Sequence, residues 1–155
     1  MTDLPVFTLE DLERMPRAEV PEWNNDAAVA LGLTAVAVMR ERGLNLAVRI
    51  IVSGDVVFVA KLGTTGPGND PWLRGKALVA EHFGEPSLLV RRRHEACGTP
   101  FESRDDVDHG SMRAHGGSIP IFVAGVVAGS ITMSGEPDVV DHDVAAETLR
   151  RYLER

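Results

Sequence analysis

The 155-residue chain has a single cysteine, Cys97. One thiol excludes an intramolecular disulfide and a zinc site built from cysteines alone. Basic residues are in deficit, 16 Lys and Arg against 23 Asp and Glu, giving a formal net charge of −7. That balance speaks against a general nucleic-acid binder, because phosphate binding rests on clustered cations. The opening Met1-Thr2-Asp3-Leu4-Pro5 has neither a basic start nor an apolar core, so it does not read as a signal peptide. Apolar runs fall short of the roughly 20 residues a bilayer span needs. Internal repeats and low-complexity stretches are absent. These absences predict a cytoplasmic protein that engages neither nucleic acid nor membrane. With 44% hydrophobic and 25% charged residues, the composition suits one compact domain with a sizeable core.

Residues 1–23 read as an N-terminal arm and 24–155 as a single domain. In the arm, Thr8 is an N-cap for a short helix over Leu9–Met15, which Pro16 and Pro21 prevent from continuing. Leu4, Val6, Phe7, Leu9 and Leu12 are too apolar for a free tail, so the arm docks on its own domain or on a neighbouring subunit. A helix from Asn24-Asn25-Asp26 to about Arg42, closed by Gly43, has Thr34 as its one polar side chain between Ala27 and Met39. Such a helix should be buried on most faces. Two Val- and Ile-rich hairpins follow. One joins Leu46–Ser53 to Val56–Lys61 through a type II′ turn at Gly54-Asp55; the other joins Ser118–Val123 to Val126–Ser134 through Ala124-Gly125. Pro120 places its strand at an edge or a bulge. Between them come a helix from the N-cap Asp70 to Phe83 and a segment, Ser87–Glu95, that reads as helix or strand. The stretch 96–117 is a long loop. A last helix runs from the N-cap Asp138 to Leu153. The expected fold class is α/β: a sandwich with a central antiparallel sheet and helices on both faces.

Several constellations could carry chemistry. The loop Leu62–Asn69 leads into a helix N-terminus, which suits an anion, yet it lacks the Gly-Lys-Ser/Thr ending of a P-loop. A plain strand-to-helix connection explains it as well. Trp72, Lys76, Val79 and Phe83 share one helix face, and a lysine in an apolar stripe either snorkels to the surface or meets a carboxylate. In His115-Gly116-Gly117 the glycines allow close backbone approach and the imidazole can donate, accept or ligate iron; a tight entry into a strand is the bland alternative. No Gly-x-Ser-x-Gly elbow accompanies it, which excludes that type of hydrolase. Asp105-Asp106-Val107-Asp108-His109 lacks calcium-loop spacing and reads as a solvated acidic loop, so no metal site is expected. Asp141 and Asp143 fit helix capping, while His142 has no explanation. Cys97, near Arg93 and His94, lacks an identified base.

The ordered runs Asn69–Lys76, His115–Ile121 and Val127–Gly135, with Asp141-His142 after them, resemble uncharacterised protein family 0303. That family is related to the haem-degrading-domain group of GlcG-like and HbpS-like proteins. The resemblance spans about residues 24–153, with the 96–117 loop departing from it. It implies a profilin-like sandwich, assembly into homodimers or larger rings, and haem as a possible cofactor.

These readings converge on an oligomeric protein that binds a small anionic ligand or haem near Trp72, Lys76 and His115. The candidate binding residues are Asn69, Trp72, Lys76, His115, Gly116 and Gly117, with His115 a possible haem ligand. The alternatives are an enzyme acting on haem or another small molecule, and an oligomeric scaffold for protein partners.

Overall fold

The computed structural model describes residues 3–155. Two tight turns set its sheet. The first hairpin pairs β2 (Ala47–Val52) with β3 (Asp55–Lys61), and the second pairs β4 (Ser118–Val123) with β5 (Val126–Ser134). Ser53-Gly54 and Ala124-Gly125 form the turns, each residue at positive φ, as a type I′ turn requires. The second turn stands where the sequence put it. The first sits one residue earlier than expected: Asp55 pairs with Val52, so the turn is Ser53-Gly54 and not a Gly-first pair.

The sheet order is β1-β4-β5-β2-β3, with β1 (Ala18–Glu19) supplied by the arm and running parallel to β4. The arm therefore covers what would have been an open edge at β4. Pro120 lies beside a register shift at Ile121 and Phe122, where a missing donor is tolerated.

Alternation along the strands sorts the two faces. Val48, Ile50, Ile119, Ile121, Ile131 and Met133 point to one side, covered by α2 (Asn25–Glu41) and α5 (Asp138–Glu154). Ser118, Ser130, Thr132 and Ser134 fall on the other, where α3 (Asp70–Phe83) lies and Ser130 donates to Glu81 at 2.9 Å. Both faces thus carry helices, as the α/β sandwich requires.

α2 departs from expectation. Leu31, Ala35, Val38 and Met39 are buried, but Val29 and Leu33 stay exposed, Leu33 at 62%. Its partners are α5, β2 and β3, all on one side, so an apolar stripe remains outside.

The arm folds onto its own domain. Thr8 and Asp11 form a reciprocal capping box at α1 (Leu9–Arg14). Leu12 is buried against Leu88 and Leu89 of α4 (Ser87–Cys97), and Arg92 Nε donates to the Phe7 carbonyl at 3.0 Å. α4 settles the ambiguous segment as helix and shortens the expected loop. Within the remaining loop Phe101 is buried with Val79, Val90 and Ala114. Among the described residues no helix is long and apolar enough to cross a membrane.

Unlike Thr8, the expected N-caps Asp70 and Asp138 lie inside their helices. A 3-10 turn, Pro67–Asn69, runs directly into α3, so Asp70 is helical, and its carboxylate pairs with Lys61 at 2.8 Å. Asp138 begins α5 behind Pro137, which frees its carboxylate for the site described next.

Candidate functional site

Lys76 sits in the second turn of α3, facing the end of β5. Its side chain is 3% exposed, and the ammonium donates to Asp141 Oδ2 and to the Met133 carbonyl, each at 2.9 Å. Of the two outcomes open to this lysine, the carboxylate partner is the one realised. Asp141 also accepts the Glu136 N–H on Oδ1 at 3.0 Å, so it ties the β5–α5 connection to α3. Its role is larger than capping. Burial raises the Asp141 carboxyl above the ordinary carboxylate range, while Lys76 and the Glu136 N–H pull it back.

His115 is brought to this place by Gly75. A Cβ at Gly75 would stand 2.3 Å from Arg113 Cγ and 2.6 Å from the Ser111 carbonyl. Its absence lets the loop cross α3 closely, with Arg113 N donating to the Gly75 carbonyl at 3.1 Å. The loop then delivers the His115 ring edge-on to Trp72, centroids 5.2 Å apart. Behind His115, the Gly116 N–H donates to Asp138 Oδ2 at 2.9 Å. Gly117 has φ +136°, and a Cβ there would lie 2.5 Å from the Met133 carbonyl and 3.0 Å from Lys76 Nζ. Both glycines serve close packing of the wall against backbone.

Half-burial holds the His115 imidazole below its ordinary pKa; Arg91 and Lys76 push the same way and Asp138 opposes them. The same burial favours the neutral form of the ring. Burial alone would raise the Asp138 carboxyl, but the Gly116 N–H and the Arg91 guanidinium outweigh it and hold Asp138 low.

Asn69, Trp72, Lys76 and His115 line one cleft of about 370 Å³, closed by Ser134 and Glu136 with Asp138 and Asp141 beneath. Gly116 and Gly117 are not among its lining residues. Asn69 bridges the cleft mouth, its Nδ2 donating to Ser134 Oγ at 3.2 Å and its Oδ1 accepting the Gly66 N–H at 3.0 Å. The second contact satisfies a donor of the helix start that was free for an anion on sequence grounds. Positive charge is likewise spoken for: Asp141 opposes Lys76, and Asp138 opposes Arg91. Glu136 carried no sequence signal, and Asp138 and Asp141 were not expected in the cleft because carboxylates at a helix start read as caps. The signal that pointed to them was the lysine in an apolar stripe, which demanded a partner.

Other sequence candidates lie apart. Asp106 pairs with Arg104, and Asp108 accepts from the Gly110 N–H and Ser111 Oγ. Among the described residues no three His, Cys, Asp or Glu side chains gather into a metal cluster. Cys97 ends α4, exposed. His142 is wholly buried, Phe7 stands edge-on to it at 4.7 Å, and neither ring nitrogen has a partner among the described residues. Burial lowers its pKa to about 4.

Comparison with known proteins fits this architecture. The chain resembles a UPF0303 protein of Streptomyces coelicolor, with 42% identity over 96% of its own length and 93% of the relative's. Among solved structures, that of the Ybr137w protein matches with a TM-score of 0.86 at 24% identity, covering 96% of this chain and 90% of the other. A PduOC:heme complex matches with a TM-score of 0.71 at 16% identity, covering 84% and 94%. At such identities the structures show the fold alone. The model of the family described as haem degrading protein HbpS-like matches residues 24–150, and the chain belongs to that family.

Proposed function

We propose that the cleft is a ligand pocket in which Trp72 and His115 form the recognition surface, and that its ligand is haem in preference to a small anion. The observation that carries this reading is the His115 imidazole: half-buried in the cleft wall, edge-on to Trp72, and without a hydrogen-bond partner among the described residues. A neutral imidazole is a haem-iron ligand. Trp72 adds aromatic surface beside it. A small anion is less well served, since the Lys76 charge is already opposed by Asp141. When bound, haem would supply an iron centre for oxygen or redox chemistry, and His115 is the residue that would hold it. The family description supports the same ligand class.

Titration with hemin, followed by the porphyrin absorbance band, tests the reading. Wild type should show a saturable band shift, weakened by at least about tenfold in His115→Ala and to a lesser degree in Trp72→Ala. Equal titration of wild type and His115→Ala would contradict it. A second reading, an enzyme acting on haem with His115 as acid or base, draws on the lowered His115 pKa. Loss of the porphyrin band after adding a reductant, absent in His115→Ala, distinguishes it from simple binding. Self-association in the cytoplasm belongs to the same proposal, with the exposed Val29 and Leu33 of α2 and Val56 and Val59 of β3 as its apolar surface. Light scattering that returns a monomer would remove that part.

A further inference from the structure

A second cavity lies away from the Trp72–His115 cleft, between the arm and α5, with a volume of about 570 Å³. Its walls are apolar: Phe7, Leu12 and Met15 from the arm, and Ala146, Leu149 and Leu153 from α5. His142 lines it too. The imidazole is fully buried, and neither nitrogen has a partner among the described residues. A buried polar group in that condition is costly, and native folds seldom leave one so.

Its neighbours cannot answer it. Phe7 offers an aromatic edge. Arg92 donates to the Phe7 carbonyl and to Glu95. Asp143 is engaged by Arg42, and Asp138 by Arg91 and the Gly116 N–H. What remains is an apolar cavity with one unmet hydrogen-bonding demand in its wall.

We propose that the cavity between the arm and α5 is a second binding site, for an uncharged apolar molecule bearing one hydroxyl, a medium-chain or aromatic alcohol, whose hydroxyl bonds the His142 ring. The body of the molecule replaces solvent along the apolar walls. A neutral imidazole presents one donor and one acceptor, and a hydroxyl can answer either. Charge at the rim argues against an anionic head: Asp11, Asp143, Glu147 and Glu154 outnumber Arg17 and Arg150. Phe7 is the movable part, since the incoming hydroxyl reaches the ring by displacing the Phe7 edge.

Titration of the full 15N-labelled chain with 1-octanol, read on backbone amides and histidine ring nitrogens, tests this. Saturable shifts are expected at Leu12, Ala146 and Leu149 together with a change at the His142 ring. Octanoate should bind at least about tenfold more weakly, because its charge meets the acidic rim. His142→Phe should lose about the same factor for octanol, and Ala146→Phe should block the cavity without touching the imidazole. Absence of saturable shifts would overturn the proposal. So would cavity shifts with an unchanged His142 ring, octanoate binding as tightly as octanol, or unchanged octanol affinity in His142→Phe. Should His142→Phe fail to fold, Ala146→Phe with the alcohol-to-carboxylate comparison decides alone.

Discussion

Asp141 and His142 are consecutive residues in the first two turns of α5, equally hidden from solvent and oppositely provided for. Asp141 turns toward α3 and accepts from Lys76 and from the Glu136 N–H. His142 turns toward the arm and bonds nothing among the described residues. The contrast shows that equal burial can leave neighbouring polar groups in opposite conditions, one fully partnered and one not. The aspartate is a fastening that closes one side of the cleft. The histidine is an unspent hydrogen-bonding group, and the same is true of His115 across the cleft wall from Lys76.

The largest effect should come from breaking the fastening. Asp141→Ala leaves the Lys76 ammonium buried beside the Met133 carbonyl, and the expected loss is about 3–5 kcal/mol of stability by denaturant unfolding. The paired replacement Lys76→Met with Asp141→Leu should cost less than Asp141→Ala, since it buries no lone charge. A double variant as damaged as the single one would show that the pair does not act as a unit.

Acid should expose the other member of the comparison. His142 titrates at 6.5 when unfolded and at about 4 in the fold. Below pH 6.5 the unfolded chain therefore takes up a proton that the folded chain refuses. Stability is full above pH 6.5 and declines as pH falls toward 4, by up to about 3 kcal/mol. His115, also lowered, contributes in the same direction. Unfolding measured from pH 7.5 to 4 should show this slope in wild type and a flatter one in His142→Leu. An identical slope in the variant would assign the acid sensitivity elsewhere.

A smaller loss, about 1–3 kcal/mol, is expected for Gly117→Ala. The new Cβ meets the Met133 carbonyl, and φ of +136° is disfavoured for any side chain. Thermal unfolding would report it, and a neutral result would mean that the wall relaxes.

Much of the fold was legible in the sequence because it rests on local signals. Gly125 and the apolar alternation around it fixed the second hairpin, and Thr8 fixed the start of α1. The first turn slipped by one residue because Gly54-Asp55 also fits a Gly-first two-residue turn, so local signals did not separate it from Ser53-Gly54. α2 misled for a different reason: an all-round apolar helix reads as buried, yet Val29 and Leu33 are exposed since only one layer lies against it. In the site, Trp72, Lys76 and His115 drew attention by residue type. Asp138 and Asp141 did not, because a carboxylate at a helix start has a sufficient local explanation, and their partners Arg91 and Lys76 stand 47 and 65 residues away. The role of Gly75 was invisible for the same reason, since what it accommodates is another segment of the chain.

The His115 ring beside Trp72 is the proposed point of attachment for the ligand. Its most direct test follows the five histidine rings by NMR while ferric hemin is added, using the paramagnetic iron as the reporter. His115 and the Trp72 indole should lose their signals first, while His142 and His82 keep theirs. Broadening centred on any other histidine, or none at saturating hemin, would contradict it.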